Sequence, residues 1–242
     1  MIGMSDSASS HFLDFIISPQ PNETTCGPAC LYSVYRFFGE TISLDQVVNE
    51  VPYLEEGGTL AVLLANHALK RGYRATIYTY NLQLFDPTWF QSEAVDIQEK
   101  LADQLHYKKD LKLQLASRSY SEFLRLGGKL KLEDLQPNLI RHYLQRSIPV
   151  LTGLNSNFLY RTRREYGLPG IYDDVKGYPQ GHFVVLCGYD NIKHEILVAD
   201  PYESNPYSRD QKYMVKLDRL ICSILLGAMT YDENLLIIEP TL

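Results

Sequence analysis

Apolar residues in the first third of the chain recur at the spacings of helices and strands. Leu31, Val34, Tyr35 and Phe38 fall at i, i+3, i+4 and i+7, which predicts a helix with one buried face that begins near Cys26. The surrounding pattern predicts four more elements: a strand at 11–17, helices at 43–51 and 57–72, and a strand at 73–80. Helices therefore dominate the predicted N-terminal part, with a strand at each end.

Residues that begin or end helices lie at the boundaries of these elements. Side chains able to cap a helix N-terminus come directly before each predicted helix: Thr24 or Thr25, Ser43 and Thr59. Gly39 and Gly72 follow the first and third helices, where the left-handed backbone that glycine tolerates commonly ends a helix. Pro28 fits the first turn because the N–H that proline lacks would be unpaired there.

The segment 81–136 differs in character, since it is rich in leucine and in charged residues. It contains two stretches of helical periodicity, at 91–107 and 117–126, and the second ends at a pair of glycines. We therefore predict a helical insertion over 81–136 within a single domain that spans residues 1–242.

The second half of the chain has the pattern of strands, after a helix that Pro137 begins. Four strands are predicted there, at 148–154, 182–190, 194–200 and 234–239. The stretch 155–181 is polar and rich in glycine and proline, so we expect an irregular loop. A turn near Asn191 would join the second and third strands. Together with the N-terminal helices, this pattern predicts the α+β class.

Composition excludes several classes of function. The chain has 242 residues, 45% of them hydrophobic, with a net charge of −6 and a pI near 5.5. It can bury a full core, and it lacks the basic balance of a nucleic-acid-binding protein. It has neither the pattern of a signal peptide nor an apolar run approaching the ~18 residues that a membrane span needs. We therefore expect a cytoplasmic protein with no membrane insertion and no nucleic-acid partner.

Cys26 lies at the N-terminus of the first predicted helix. Unpaired N–H groups and the helix dipole favour a thiolate at that position, and a thiolate is a nucleophile for covalent acyl transfer. Such a nucleophile needs a base that takes its proton and later returns it to the leaving group. His182 is the candidate, because it opens a strand after a long loop and would face the end of a sheet, where a cleft can form.

Asp200 is the candidate to orient the His182 imidazole. If the strands at 182–190 and 194–200 form a hairpin around Asn191, residues whose numbers total about 382 lie opposite one another, as His182 and Asp200 do. A register shift of two would leave them diagonal neighbours, whereas a shift of one would put them on opposite faces. The alternative is that Asp200 only caps a turn at the following proline.

Two further features could belong to the same cleft. Gln20 precedes Cys26 by six residues and can supply a side-chain amide to an oxyanion hole beside the Cys26 backbone N–H; otherwise it is an exposed loop residue. The stretch 160–178, rich in tyrosine and arginine, could form a lid or a substrate-binding wall beside His182, or a solvated surface loop.

These residues carry a family resemblance. Gln20, the TCGPAC motif around Cys26, the Gly-His-Phe-Val-Val-Leu motif around His182 and the Val-Ala-Asp-Pro motif around Asp200 resemble, in order and spacing, the bacteriocin-processing, double-glycine type of papain-like cysteine peptidase. The resemblance covers about half of the chain. It implies a papain-like fold in which Cys26 is the nucleophile, His182 the general base, Asp200 its orienting partner and Gln20 an oxyanion-hole residue. The chain resembles a stand-alone form without a transporter, and Thr25 stands where many members have aspartate.

The resemblance implies a peptide or protein substrate, and three functions fit it. Hydrolysis of a peptide or amide bond through an acyl-enzyme is the expected one, because all four catalytic elements are present. The same acyl-enzyme could instead serve transpeptidation or amide transfer, in which an amine replaces water. The third possibility is a non-catalytic module that binds peptide leaders.

A metal site is the remaining alternative for the cysteines. Cys26 and Cys30 are four residues apart on one predicted helix, but a structural zinc site wants a second close pair of ligands. Cys187 and Cys222 are isolated in the sequence, so neither supplies such a pair. We therefore expect no metal and no cofactor, and we expect Cys30, Cys187 and Cys222 to be core residues.

Overall fold

The computed structural model describes residues 10–54, 57–167 and 171–241. Its strands are β1 (Ser10–Phe12), β2 (Arg74–Thr79), β3 (Lys129–Lys131), β4 (Val150–Asn155), β5 (Gly181–Asp190), β6 (Glu195–Ala199), β7 (Lys212–Lys216) and β8 (Asn234–Glu239). Its helices are α1 (Cys26–Phe37), α2 (Leu44–Glu50), α3 (Ala61–Lys70), α4 (Ile97–Tyr107), α5 (Leu111–Arg125), α6 (Pro137–Gln145), α7 (Ser156–Tyr160) and α8 (Leu217–Leu226), with 3-10 turns at Pro87–Phe90 and Gly227–Met229. The α+β class is confirmed.

The strands that the structure describes form one sheet. Their order is β3-β2-β8-β4-β5-β6-β7, and β1 pairs with β5 beside this path. Neighbouring strands are antiparallel except β2 and β3, which are parallel. α3 packs on β2. β4 and most of β5 are buried, because α1 packs on β5 and α8 packs on β4. The start of β5, where His182 lies, is therefore central in the sheet and close to α1.

The helices near the N-terminus form where the sequence predicts them, although only one of the three predicted caps forms a side-chain hydrogen bond to its helix. The Ser43 side chain accepts a hydrogen bond from the Gln46 N–H at 3.1 Å, as expected of a cap. The Thr25 hydroxyl instead donates to the Asn22 carbonyl at 3.0 Å. Leu60, not Thr59, is the N-cap of α3. Both threonine hydroxyls find backbone carbonyl acceptors in the preceding loops, so Thr25 occupies the N-cap position of α1 without a side-chain cap bond.

The segment 81–136 is more than a helical insertion. It contains α4 and α5, and the side-chain amide of Asn66 on α3 donates to the Ser119 carbonyl on α5 at 3.0 Å. After a turn at Gly127, which has a φ of 88°, the segment ends in β3. That strand pairs with β2 and forms the edge of the sheet, so the prediction of helices alone is corrected.

Other elements differ from their predicted extent. The first strand is confirmed only as β1, three residues long, although the extended chain after it stays buried at Leu13, Phe15 and Ile17. The stretch 155–181, expected to be irregular, begins with α7, and its residues 168–170 lie outside the described part. β7 and α8 were not predicted. None of the helices in the described ranges is long and apolar enough to cross a membrane.

A bulge sets the register of the β5–β6 hairpin. Near the turn, Tyr189 pairs with Ile196, whereas beyond Cys187 the pair is Val185 with Ala199, so the numbers total 385 and then 384 instead of the predicted 382. A total of 385 along the whole hairpin would place His182 and Asp200 on opposite faces of the sheet. The bulge at Cys187 changes the total to 384, which places them on the same face. The predicted direct opposition is therefore wrong, and the two residues are diagonal neighbours on one face.

Candidate active site

The N-terminus of α1 presents Cys26 to a cleft. Cys26 is the first residue of α1, so its backbone N–H has no acceptor within the helix. The preceding loop is held by Asn22, whose side-chain oxygen accepts hydrogen bonds from the N–H and the hydroxyl of Thr24 at 3.0 and 2.9 Å. The Cys26 side chain is 8% exposed and lines the cleft. The position of Cys26 is thus fixed by the loop before it and reached from the cleft.

His182 lies between an aspartate and the cysteine. Its Nε2 is 2.8 Å from Oδ1 of Asp200, which follows β6 and is fully buried. Cys26 lines the same cleft as His182, and its proximity contributes to raising the pKa of the imidazole. Because Nε2 is occupied by Asp200, Nδ1 is the ring nitrogen that remains available for a proton transfer. The structure therefore brings together the three residues that the sequence proposed.

The charges of this group support one another. Burial alone would lower the pKa of the His182 imidazole, but the charge and hydrogen bond of Asp200, together with Cys26, raise it to about 10. Burial would raise the pKa of Asp200, and the His182 charge and the hydrogen bonds to Asp200 outweigh it, so this pKa is lowered. At neutral pH the pair is therefore an imidazolium and a carboxylate.

The Asp200 carboxylate accepts four hydrogen bonds. Oδ1 accepts from His182 Nε2 and from the Tyr202 N–H, the latter at 3.0 Å. Oδ2 accepts from the hydroxyls of Tyr160 on α7 and Tyr213 on β7, at 2.6 and 2.7 Å. Burial and the Asp200 charge raise the pKa of both tyrosines well above its usual value, so both remain donors. The carboxylate is therefore locked in one orientation toward His182.

The Asp200–tyrosine contacts were not found from the sequence. Tyr160 was placed in a possible cleft wall, and Tyr213 was not singled out. Each tyrosine is more than ten residues from Asp200 along the chain. No local motif links them, and only the path of α7 and β7 brings them to the same carboxylate.

Gln20 lies beside Cys26 in the wall of the cleft. Its backbone N–H donates to the Pro201 carbonyl at 3.0 Å, which ties this loop to the segment that carries Asp200. Its side-chain Nε2 donates to the Asn22 carbonyl at 2.9 Å, and its Oε1 is buried without a hydrogen-bond partner in the described residues. One N–H of the Gln20 amide thus remains for a group in the cleft.

The cleft has a volume of about 590 Å³. Its polar lining includes Glu23, Glu165, Lys112 and Asp232, and aromatic rings from the predicted irregular stretch, such as Tyr172, also face it. The described residues of this stretch therefore form part of the cleft wall, as the interpretation of a substrate-binding wall predicts, and not only a solvated surface loop.

Asp232 is a second buried carboxyl group beside His182 that sequence reasoning missed. A side-chain atom added at Gly153, Gly181 or Gly227 would collide with Asp232, so three glycines leave it room. Burial raises the pKa of Asp232 to about 7. In the sequence, Asp232 is the first residue of an Asp-Glu pair, and charged residues of this kind are mostly exposed. For that reason the sequence did not indicate a buried carboxyl group here.

Cys30 and Cys187 are core residues. Both are fully buried, and the Cys30 thiol donates to the Phe183 carbonyl at 3.3 Å. Burial raises the pKa of Cys30 well above its usual value and that of Cys187 to about 12. Cys222 is exposed on α8, contrary to the prediction of a core position. In the ranges 10–54, 57–167 and 171–241, no group of three or more His, Cys, Asp or Glu residues suits a metal ion.

These environments predict the order in which the thiols are alkylated. Iodoacetamide at neutral pH should modify Cys26 first, because it lies at the N-terminus of α1 in the cleft that the protonated His182 also lines, and should leave the buried Cys30 and Cys187 unmodified. Solvent exposure alone would favour labelling of Cys222, so labelling of Cys222 before Cys26 would contradict an activation of Cys26 by its surroundings. Mass spectrometry of partly alkylated native protein measures the order, and guanidinium-unfolded protein, in which all four thiols react, is the control.

Comparison with known proteins gives a family and a fold. A family model described as the Peptidase_C39 like family matches residues 12–219. Among curated proteins, no sequence matches the chain. A solved C39-like peptidase from Bacillus anthracis is 12% identical, with 96% of this chain and 98% of that one covered and a TM-score of 0.50. This likeness is one of fold, and it agrees with the papain-like fold expected from the sequence.

Two other solved structures are similar at lower TM-scores. A double glycine motif protease from an AMS/PCAT transporter, in complex with the leader peptide, is 16% identical, with 96% of this chain and 95% of that one covered and a TM-score of 0.47. Xylellain, a cysteine protease from Xylella fastidiosa, is 13% identical, with 97% and 87% covered and a TM-score of 0.48.

Proposed function

This chain belongs to the Peptidase_C39 like family and is a cysteine peptidase, and on that basis we propose that it hydrolyses a peptide or amide bond through an acyl-enzyme on Cys26. The proposed catalytic residues are Cys26, His182, Asp200 and Gln20. The observation that carries the proposal is the hydrogen bond between His182 and the buried Asp200 carboxylate, at a cleft whose wall His182 shares with Cys26. A buried carboxylate, an imidazole and a thiol in that order form a nucleophile, its base and the group that orients the base.

In the proposed acylation, the Cys26 thiolate attacks the carbonyl carbon of the scissile bond. The developing oxyanion is held by the Cys26 backbone N–H and by the free N–H of the Gln20 amide. His182 gives its Nδ1 proton to the leaving nitrogen as the C–N bond breaks, and an amine departs. The product is a thioester on Cys26 and a neutral imidazole that still donates from Nε2 to Asp200.

In the proposed deacylation, the neutral His182 takes a proton from water, and the resulting hydroxide attacks the thioester carbonyl. Collapse of the tetrahedral intermediate breaks the C–S bond, releases a carboxylic acid and restores the thiolate and imidazolium. Asp200 remains ionised throughout, because its four hydrogen bonds and the His182 charge stabilise the carboxylate. Its role is to hold one tautomer and one ring orientation.

The segment 81–136 is proposed to select the substrate within this single domain. Its α5 reaches the cleft through Lys112, whereas the proposed catalytic residues lie outside the segment. The substrate is proposed to be an extended peptide, since the chain belongs to a peptidase family and the cleft lining is mixed polar and aromatic. Contacts that position a substrate without touching the reacting atoms change specificity more than chemistry.

One experiment tests the reaction and separates it from its alternatives. The protein is incubated with a diverse peptide library, with and without added glycinamide, and products are identified by mass. A portion alkylated beforehand with iodoacetamide is the control. Cleaved fragments and a thioester adduct on Cys26, both absent from the control, are expected.

Two other results would change the assignment. Glycinamide adducts formed in preference to free acids would mark an amide transferase, because the acceptor enters only at the second step. Peptides that bind equally to untreated and alkylated protein, with no product from either, would identify a peptide-binding module and overturn the proposal.

The tyrosine donors to Asp200 are expected to contribute to the rate. Tyr160→Phe or Tyr213→Phe should each lower kcat/KM up to about 10-fold, and the double variant about 100-fold, because Oδ2 would lose both donors and the carboxylate would be free to turn. Tyr207→Phe is the matched control, since its hydroxyl donates to the Leu159 carbonyl. Steady-state kinetics on a peptide found in the library provide the measurement; equal losses in all three single variants would indicate a packing effect.

A further inference from the structure

Lys112 is a charged residue that the segment 81–136 brings into the cleft. It occupies the first turn of α5 and lines the same cleft as Cys26 and His182. Its Nζ donates to the Thr230 carbonyl at 3.0 Å and lies 5.1 Å from the centre of the Tyr231 ring. These two contacts fix the direction of the side chain, and an ammonium has three N–H groups, so two remain available to a ligand.

The charge of Lys112 is not cancelled by a direct ion pair. Three carboxyl groups lie in its neighbourhood, those of Asp110, Asp232 and Glu233, and none is within 4.0 Å of Nζ in the described part of the chain. Asp110 accepts from the Leu113 N–H and so caps α5. Burial raises the pKa of Asp232 and of Glu233 to about 7, so near and below neutral pH a large fraction of each is uncharged.

The position of Lys112 is not explained by the stability of its helix. A cation in the first turn of a helix faces the positive end of the helix dipole, which is unfavourable. The Thr230 carbonyl and the Tyr231 ring provide contacts for the side chain, but a neutral donor could also bond a carbonyl. The Lys112 charge lowers the pKa of the buried Asp232 and Glu233 carboxyl groups without forming a direct ion pair with either, so the ammonium remains open to an anionic group that enters the cleft.

We propose that Lys112 is a specificity-determining residue that binds a carboxylate of the substrate beside the reacting bond. The proposal rests on the function proposed above and deepens it, since it names the charge of the preferred substrate. The carboxylate could be the side chain of an aspartate or glutamate or the C-terminus of a peptide, because both offer the same two oxygens to an ammonium. The chemistry of Cys26 itself would not depend on Lys112.

Two alkylating agents test the charge of the site without any peptide substrate. Iodoacetate is an anion and iodoacetamide is its neutral analogue, and both alkylate a thiolate. The readout is the ratio of their rates at Cys26, followed by mass spectrometry, in the wild type and in K112Q, K112M and K112R. K109Q is the matched control, because Lys109 is exposed on the same segment and is not part of the cleft lining.

The ratio of the iodoacetate to the iodoacetamide rate should fall about 5-fold in K112Q and K112M, in keeping with a solvent-accessible ion pair. It should be unchanged in K112R and in K109Q. The iodoacetamide rate should stay constant, since Cys26 and His182 are untouched. K112Q keeps a donor for the Thr230 carbonyl, so it remains informative where K112M is less stable. An unchanged ratio, or an equal fall in K109Q, would overturn the proposal, as would an equal loss of both rates.

Peptides then distinguish the two sources of the carboxylate. A peptide that the library experiment shows to be cleaved is made with glutamate or glutamine near the scissile bond, each with a free or an amidated C-terminus. K112Q should raise KM for the preferred carboxylate form about 5-fold, leave kcat unchanged and spare the neutral forms. KM values that rise equally for all four peptides would contradict carboxylate binding. If no peptide is cleaved, the proposed function fails, and the alkylation ratios still decide whether Lys112 attracts an anion.

Discussion

Replacing Cys26 with alanine is expected to abolish turnover of any peptide that the wild type cleaves, with a loss of about 10⁶-fold in kcat, as when other covalent enzymes lose the nucleophile. No other thiol can substitute for it. Cys30 is fully buried on the next turn of α1 and donates to the Phe183 carbonyl, and the thiolate it would need is disfavoured there because burial raises its pKa well above the usual value. The measurement is the rate of product formation by mass spectrometry over several hours.

Cys222→Ala is the matched control for Cys26→Ala, since it removes an exposed thiol from α8 and should leave the rate unchanged. Both variants should unfold at nearly the same denaturant concentration as the wild type, because a cysteine to alanine change removes only one sulfur atom. Turnover by Cys26→Ala that stays within 10-fold of the wild type would disprove the acyl-enzyme, whatever the geometry around His182.

Helical periodicity and continuous apolar runs predicted the elements that are most buried. The residues Leu31, Val34 and Tyr35 are buried along one side of α1, and the apolar run 182–190 is the central strand β5. Elements with weaker patterns were not predicted. β7 alternates buried and less buried residues over only five positions, and β3 has three residues, two of them lysines. Their strand conformation depends on pairing with neighbours that are distant in sequence.

The residues of the candidate site also differ in whether local sequence is enough to predict them. Cys26, His182 and Asp200 could be proposed from sequence because each lies at a helix or strand end with a recognisable local setting. The contacts of Tyr213, Lys112 and Asp232 could not be predicted in this way, because each depends on where an element distant in sequence packs. Even the correct partnership of His182 and Asp200 was derived from a register that ignored the bulge at Cys187. The extra residue in β5 was not foreseeable from residue spacing.

Replacing Asp200 with asparagine is expected to lower kcat/KM by about 10⁴-fold, as for the equivalent change in other triads. The carboxylate accepts from His182 and Tyr202 on one oxygen and from Tyr160 and Tyr213 on the other, so all its neighbours are donors. An amide has one oxygen. If its NH₂ faces His182, Nε2 must become an acceptor, and the proton moves to Nδ1, where it blocks proton transfer from Cys26.

The same change should alter stability in a pH-dependent way. Because His182 has a raised pKa, its contribution is complete below the unfolded value of about 6.5 and is lost as the pH rises through about 10. Because the pKa of Asp200 is lowered, its contribution is complete above about 3.9 and is lost as the pH falls through the lowered value. The difference in unfolding free energy between wild type and Asp200→Asn, on the order of 3 kcal/mol, should therefore be largest between about pH 4 and 6.5.

Denaturant unfolding at several pH values and steady-state kinetics provide the two measurements for Asp200→Asn. Asp210→Asn is the matched control, since Asp210 is exposed nearby on the same connection and should change neither quantity. A stability difference that grows as the pH rises above 9 would have the wrong sign for a raised His182 pKa. A fully active Asp200→Asn variant would show that the orientation of the imidazole does not depend on this carboxylate, and His182 would then need another partner to act as the base.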